Sequence, residues 1–351
     1  MEDQIKNEEQ VSEKENFNDN LHGENLTDRA KVLSPGMTVL KRFFRSKLSI
    51  IGLVTLVLLF LFSFLGPVFT KWGPNEADPN SKTIFTVTSI TYEVDGETYT
   101  CFEVTLDETN YNILGDISAD HIMGTDDSSY DVFTRLMTGG RVSLTIGFVV
   151  VILETLLGVL LGGLAGYFGK WVDQLIMRIV DILSCIPSLP IMLILSAVFT
   201  ALGIVDISRL YYMMIVLTLL GWPSVARLVR GQILSLREQE FMLAAKSSGL
   251  STGKKIFKHL LPNVIPQLIV FMTLGLGSII LYEATLGYLG IGAPTGTATW
   301  GNLINYASDA TYRNYYPNLW LGAGICITLA ILAFNFVGDG LRDAFDPKMK
   351  R

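Results

Sequence analysis

Two carboxylates stand out because they interrupt apolar runs: Glu154 within Val142 to Gly169, and Glu283 within Asn263 to about Gly292. An ionised side chain in hydrocarbon is costly, so such residues face protein or a water-filled path. Both are therefore pathway candidates, and both fit interior hydrogen bonding equally well. No His or Lys lies in either run, which leaves a thin basis for a proton relay. The stretch Gly249-Leu-Ser-Thr-Gly253-Lys254-Lys255 invites comparison with a phosphate loop. Such a loop needs four residues between its glycines and Ser or Thr after the Lys. Here three residues intervene, Lys255 follows Lys254 and no strand precedes, which argues against nucleotide binding. Cys101, Cys185 and Cys326 are isolated, and His22, His121 and His259 are scattered, so metal-ligand spacing is missing. With no nucleophile-base or metal constellation, the chain reads as a non-enzyme without a catalytic, cofactor or metal site.

The composition says where these residues sit. Of 351 residues, 50% are apolar and only 17% charged, with a mean hydropathy of +0.41. A soluble domain would carry about a quarter charged residues. The deficit falls in uninterrupted apolar runs, so the chain is a polytopic membrane protein. The net charge of -6 comes mostly from two soluble segments.

Residues 1–33 are acidic and apolar-poor, and are expected to form a disordered cytosolic tail. The first apolar run starts too late and is too long for a signal peptide. Residues 34–70 begin with SPGMTVLKRFFRSK, in which Lys41, Arg42, Arg45 and Lys47 accompany Val39, Leu40, Phe43 and Phe44. That mix suits an interfacial helix on the cytosolic leaflet, or a basic flank orienting the first span, Leu48 to Thr70. Residues 71–131 carry thirteen acids against two basic residues. Within them TIFTVTSITYEV and ETYTCFEVTL flank Asp95-Gly96, a strong hairpin signal. This extracellular β-hairpin is either a contact for a binding protein or a decorative insertion. Residues 132–340 hold five further spans: Val142 to Gly169, about Gln174 to Val205, Leu210 to Ala226, Asn263 to about Gly292, and Pro317 to Gly338. Gly158, Gly162 and Gly166 repeat at a spacing that lets helices pack closely, with a functional bend as the alternative. Residues 341–351 form a short tail. Basic flanks place both termini in the cytosol with the acidic insertion outside.

The loop between the fourth and fifth spans, Arg237 to Pro262, is polar and basic. Leu236 to Ser248 consists of helix formers and Gly249 reads as a C-terminal cap. Ser251 or Thr252 can cap a second short helix, which Pro262 stops. Phe241, Ala244, Ala245 and Ser248 share a face, and its small residues suit insertion into another protein's groove. An ordinary amphipathic cytosolic loop is the plainer alternative. Arg227, Arg230, Arg237, Glu238 and Glu240 likewise fit a solvated flank or a recognition surface.

Ala244-Ala245, Gly249 and Leu261-Pro262 keep the spacing of the "EAA loop", and so resemble the permease subunits of ATP-binding-cassette (ABC) importers. Leu243 stands at the Glu position and His259 at a usual Ile. Both departures are similar to the oligopeptide/dipeptide (nickel) branch and its C-type permease. The resemblance covers about 124–347, through GTD at Gly124-Thr125-Asp126, DVFTRLMTGGRVSL, GYFGKWVDQLIMRIVDIL, GWPSVARLVRGQILSLREQE, ATLGYLGIG, TWGN and AFNFVGDGLRDAFDP. Where the family tends to read Gly-Arg-Asp, this chain has Ser129-Tyr130-Asp131, so the role of that Arg does not carry over. The acidic insertion is not covered.

The resemblance implies an all-α polytopic membrane protein, with six transmembrane helices in the type I ABC importer permease fold and a small extracellular β-hairpin. It implies a bacterial inner-membrane subunit forming half of a pathway for oligopeptides or dipeptides. Glu240, Phe241, Ala244, Ala245, Ser248, Gly249, Leu250, Leu261 and Pro262 are the residues expected to couple it to an ATPase. The implied partners are a second homologous permease chain, two cytosolic ABC ATPase subunits that hydrolyse the ATP, an extracytoplasmic peptide-binding protein and membrane lipid; nucleic acid is not among them. A permease of the same family for nickel or another small solute is the alternative. A secondary transporter would show paired inverted repeats and interrupted spans at the substrate site, and no such pairing is evident. A receptor with the hairpin as its ligand domain would have no use for the loop's spacing.

Overall fold

A computed structural model of the chain describes residues 35–80, 82–94, 97–109, 111–204, 206–294 and 296–346. The acidic tail at 1–33, the Asp95-Gly96 turn and the end of the 341–351 tail lie outside the described residues. The helices in chain order are α1 (Pro35–Phe43), α2 (Lys47–Phe64), α3 (Val132–Phe168), α4 (Lys170–Ser184), α5 (Ser188–Ala201), α6 (Ser208–Leu236), α7 (Glu240–Ser247), α8 (Thr252–Tyr288), α9 (Trp300–Asn305), α10 (Ala310–Tyr315) and α11 (Pro317–Phe345). Strands β1 (Lys82–Val94) and β2 (Glu97–Thr109) form an antiparallel hairpin between α2 and α3. Their register pairs Val94 with Glu97, leaving two residues for the turn. Thirteen residues per strand give an arm roughly 43 Å long at ~3.3 Å per residue.

Among the described residues five helices, α2, α3, α6, α8 and α11, are long and apolar enough to cross a membrane. The sixth span differs from expectation. Instead of one helix over 174–205, α4 and α5 meet at a 74° bend. Pro187 is the cause: it disfavours helical backbone at Ile186 and cannot donate a hydrogen bond, so α4 ends at Ser184 and α5 restarts behind Pro187. The third span is thus interrupted where the sequence led to one continuous helix.

Close packing depends on small residues where helices cross. A Cβ at Gly162 of α3 would lie 2.4 Å from the Ala226 carbonyl oxygen of α6, and one at Gly158 would lie 2.4 Å from the Val225 Cβ. Gly52 of α2 meets Phe336 and Ala333 of α11 in the same way. The glycine spacing is therefore a packing seam, and α3 runs through it unbroken.

The two ends of the bundle are built differently. At one end α1 docks on α11 through buried Phe43, and Arg42 donates to the Asp346 carbonyl oxygen at 3.1 Å. The end of α6, all of α7 and the start of α8 lie at that same end. At the other end, residues 71–80 and 111–131 fold over the start of α3. His121 bridges Asp131 through Nδ1 and Asp78 through Nε2, each at 3.0 Å, and stacks on Trp72 at 4.7 Å between centroids. The second Asp131 oxygen accepts from Thr134 N at 2.7 Å and caps α3, which starts at Val132 rather than near Val142. Burial pushes the Asp78 carboxyl up. Hydrogen bonds from Asn112, the Asn80 backbone and His121 outweigh that and hold it below the usual carboxylate range. Asp126 goes the other way: burial raises it despite the Arg135 guanidinium 3.0 Å away.

Candidate coupling site

Residues 236–248 do not form the single helix expected. The chain breaks after α6 at Arg237, and α7 begins at Glu240 with Gln239 as its N-terminal flank. Glu240 then sits in the first turn, where an acid complements the helix dipole. The C-terminal end closes as a Schellman motif: Leu250 N donates to Ala245 O at 3.3 Å, and Gly249 N donates to Lys246 O at 3.1 Å. Gly249 supplies the positive φ of 67° that this closure needs.

The reading of Pro262 as a helix stop is corrected. Thr252 to Tyr288 is continuous, with Ser251 as its flank, and Lys255 to Leu260 winds as a wider π-type turn just before the proline. Pro262 occupies the first turn of the α-helical part that follows, where a missing N–H is tolerated. Asn263 Nδ2 donates to the His259 carbonyl oxygen at 2.6 Å, one turn back.

Side-chain directions divide the predicted coupling residues. Ala245 does not share an outward face with the others; it is buried with Met242, which is 0% exposed. Met242 packs with Val229 and Ile233 of α6 and with Leu260 and Val264 of α8. Phe241, Ala244, Ser248 and Glu240 remain exposed, and Gly249 lies at the surface. Leu250 and Leu261 are half-buried, and Pro262 is exposed. Two apolar residues outside the predicted coupling set are also exposed: Leu243 at 53% and Phe257 at 70%. Spacing alone does not single out Met242, because the residues three and four apart on α7 can be grouped into more than one face.

The basic cluster is used within the chain. Arg230 grips the carboxylate of Asp173 in α4 with both a guanidinium Nε and Nη2, the latter at 2.6 Å. Arg227 pairs with Asp181 at 3.1 Å, an exposed contact of small energetic worth. Arg237 donates to the Gly166 and Tyr167 carbonyl oxygens at 3.1 and 3.4 Å, satisfying the end of α3. These contacts and the glycine seam join α7 to α3 and α4 through α6.

The two intramembrane carboxylates occupy helix interfaces. Glu283 of α8 is buried and accepts from Ser143 Oγ of α3 at 2.9 Å; that hydroxyl accepts from Trp300 N at 3.1 Å. Trp300 Nε1 reaches the Leu136 carbonyl oxygen at 3.0 Å, and the Gly287 and Gly301 backbones pack directly together. Glu283 thereby holds the short helix α9 between α3 and α8. Glu154 lies against Gly221 of α6, where any side chain would collide with its carboxylate. The structure does not bring the two carboxylates to α7. Among the described residues no group of three or more His, Cys, Asp or Glu is arranged to hold a metal ion.

Comparison with known proteins matches residues 158–351 to the family described as binding-protein-dependent transport system inner membrane component. Residues 34–85 match the N-terminal TM domain of oligopeptide transport permease C. The dipeptide transport system permease protein DppC of Alkalihalophilus pseudofirmus is 35% identical, over 92% of this chain and 93% of its own length. The oligopeptide transport system permease protein OppC of Bacillus subtilis is also 35% identical, over 93% of this chain and 95% of its own. The similarity therefore extends well beyond 124–347, into the N-terminal segment and across the acidic insertion. Among solved structures, a MetNI methionine ABC transporter in inward-facing conformations aligns with a TM-score of 0.48 at 20% identity, over 60% of this chain and 96% of that one.

Proposed function

The chain belongs to the family of binding-protein-dependent transport system inner membrane components, and on that premise we propose that it imports peptides as one permease subunit of an ATP-driven assembly. Its relatives at 35% identity are named for dipeptide and oligopeptide transport, which supports peptides as the solute. A second homologous permease completes the pathway, two ATPase subunits dock at the α7 end, and a solute-binding protein docks at the end carrying the hairpin. ATP hydrolysis belongs to the partners. The basic residues of α1 and of 237–262 favour the cytosol for the α7 end.

The observation that carries the reading is the two-sidedness of α7. Its inner face is locked into the bundle by Met242 and Ala245, while Phe241, Leu243 and Ala244 face outward without cover. An exposed apolar face on a short cytosolic helix marks a contact surface. When the ATPase pair closes, α7 moves with it. The Met242 packing and the α3–α6 seam pass that displacement to the spans, which open alternately to either side.

Affinity purification of the tagged full-length chain from its native membrane should bring down a second permease and an ATP-hydrolysing subunit. Vesicles containing this assembly should accumulate peptide only when ATP is supplied. Uptake driven by an ion gradient without ATP would overturn the proposal.

A further inference from the structure

A cleft of ≈ 430 Å³ opens between α6, α8 and α11 at the α7 end of the bundle. That volume lies in the range of small-molecule sites, roughly 300–1,000 Å³. Its walls come from membrane-spanning helices and are apolar: Leu228 of α6, with Pro266, Val270 and Phe271 of α8. Its rim is polar, formed by Asn263 and Gln267 on one side and Arg342 on the other. Among the described residues the Arg342 side chain has no hydrogen-bond or ion-pair partner. A second guanidinium comes from outside the spans, because Arg42 of α1 donates to the carbonyl oxygen of Asp346, a residue of the same rim. Lys41 and Arg45 flank it on α1 or just beyond.

We infer that this cleft binds one anionic diacyl phospholipid of the surrounding leaflet. One acyl chain lies along Val270 and Phe271, and the phosphate lies between Arg342 and Arg42. Three observations select this occupant. The walls belong to helices long and apolar enough to cross a membrane, and their apolar side chains offer an acyl chain a surface to pack on. The rim offers amide and guanidinium donors, the donor set that phosphate oxygens use. The neighbouring α1 is a basic amphipathic helix at the same end, a feature of segments held at anionic membrane surfaces. Asp346 also lines the rim, which puts the phosphate on the arginine side. A free phosphate would gain nothing from the apolar walls, so the acyl chain is required. The inference holds whatever solute is transported.

The test is lipid retention by the full-length chain, purified in detergent in the assembly it forms and examined by native mass spectrometry. Phosphatidylglycerol and phosphatidylcholine with identical acyl chains are supplied in equal amounts. Wild type should retain one phosphatidylglycerol in preference to phosphatidylcholine. Arg342→Gln should reduce that preference about fivefold, and Arg342→Gln with Arg42→Gln should reduce it by about that factor again, as expected for charges at a membrane surface. Gln267→Trp, at an exposed rim position, should plug the cleft and lower retention of both lipids. Glycerol phosphate, which has the headgroup charge without the chains, should displace neither. The same lipid ratio in the double variant as in wild type would overturn the inference. So would full retention by Gln267→Trp, or displacement by glycerol phosphate.

Discussion

Met242→Ala separates the two faces of α7, the proposed coupling helix. The Met242 side chain is fully buried among Val229, Ile233, Leu260 and Val264, and α7 has only Ala245 as a second buried residue. Truncating a buried Met to Ala costs about 2–5 kcal/mol. An eight-residue helix has little stability of its own, so most of this cost falls on its docking to the bundle. Even 2 kcal/mol shifts a docked-to-undocked equilibrium about 30-fold. The outward residues Phe241, Leu243 and Ala244 are unchanged by the substitution. The variant should therefore insert in the membrane and keep its ATPase subunits, while hydrolysis loses its dependence on substrate and peptide uptake per ATP falls severalfold. The assay is paired: ATPase retention on purification, and peptide uptake against ATP consumed in vesicles. Lys246→Ala, at an exposed position of the same helix, should change neither. If Met242→Ala transported peptide with wild-type stoichiometry, the packing of α7 would not carry the coupling.

Substitutions at Gly249 should rank by tolerance of positive φ, Asn mildest and Val worst, because a Cβ there meets no atom within 4 Å and the cost is conformational. The span should approach 1–2 kcal/mol, read as loss of substrate-stimulated ATPase activity; equal effects of Asn and Val would refute this. Gly162→Ala should overpack the α3–α6 seam by about 1–3 kcal/mol and lower the melting temperature of the purified protein. Alanine at Gly231, where a Cβ has open space, is the control and should leave it unchanged. The depressed Asp78 carboxyl contributes stability that is full above its unfolded pKa of about 3.9 and is lost as pH falls through the folded value. Amide exchange in residues 111–131 should accordingly rise as the pH is taken below about 4. In Asp78→Asn it should already be raised at pH 7 and respond less to acid; matching profiles would argue against the His121 clasp.

The sequence by itself determined the class of protein, since runs of 20 or more apolar residues admit few structures besides membrane helices. It also determined the hairpin, through two alternating strands around Asp95-Gly96, and it pointed to 237–262 as the proposed coupling loop, through the fixed interval from Ala244-Ala245 to Leu261-Pro262. Helix termini were less legible. Val132 starts α3 because Asp131 caps it, and Asp131 is held there by His121 and Asp78, more than fifty residues of chain being needed to close that clasp. Ser129 adopts a φ of 65°, a strain held by its Oγ donating to the Asp78 carbonyl oxygen at 3.0 Å. Pro262 reads as a stop in one dimension, yet a π-type turn upstream and the Asn263 amide let α8 pass through it. The faces of α7 were decided by tertiary structure alone. Periodicity places Phe241, Ala244, Ala245 and Ser248 together, but the core formed by α6 and α8 takes Met242 and Ala245 and leaves the rest to solvent. The roles of Glu154 and Glu283 were open for the same reason: a lone carboxylate in an apolar run looks identical from the sequence whether it faces water or the Ser143 hydroxyl of a helix 140 residues away.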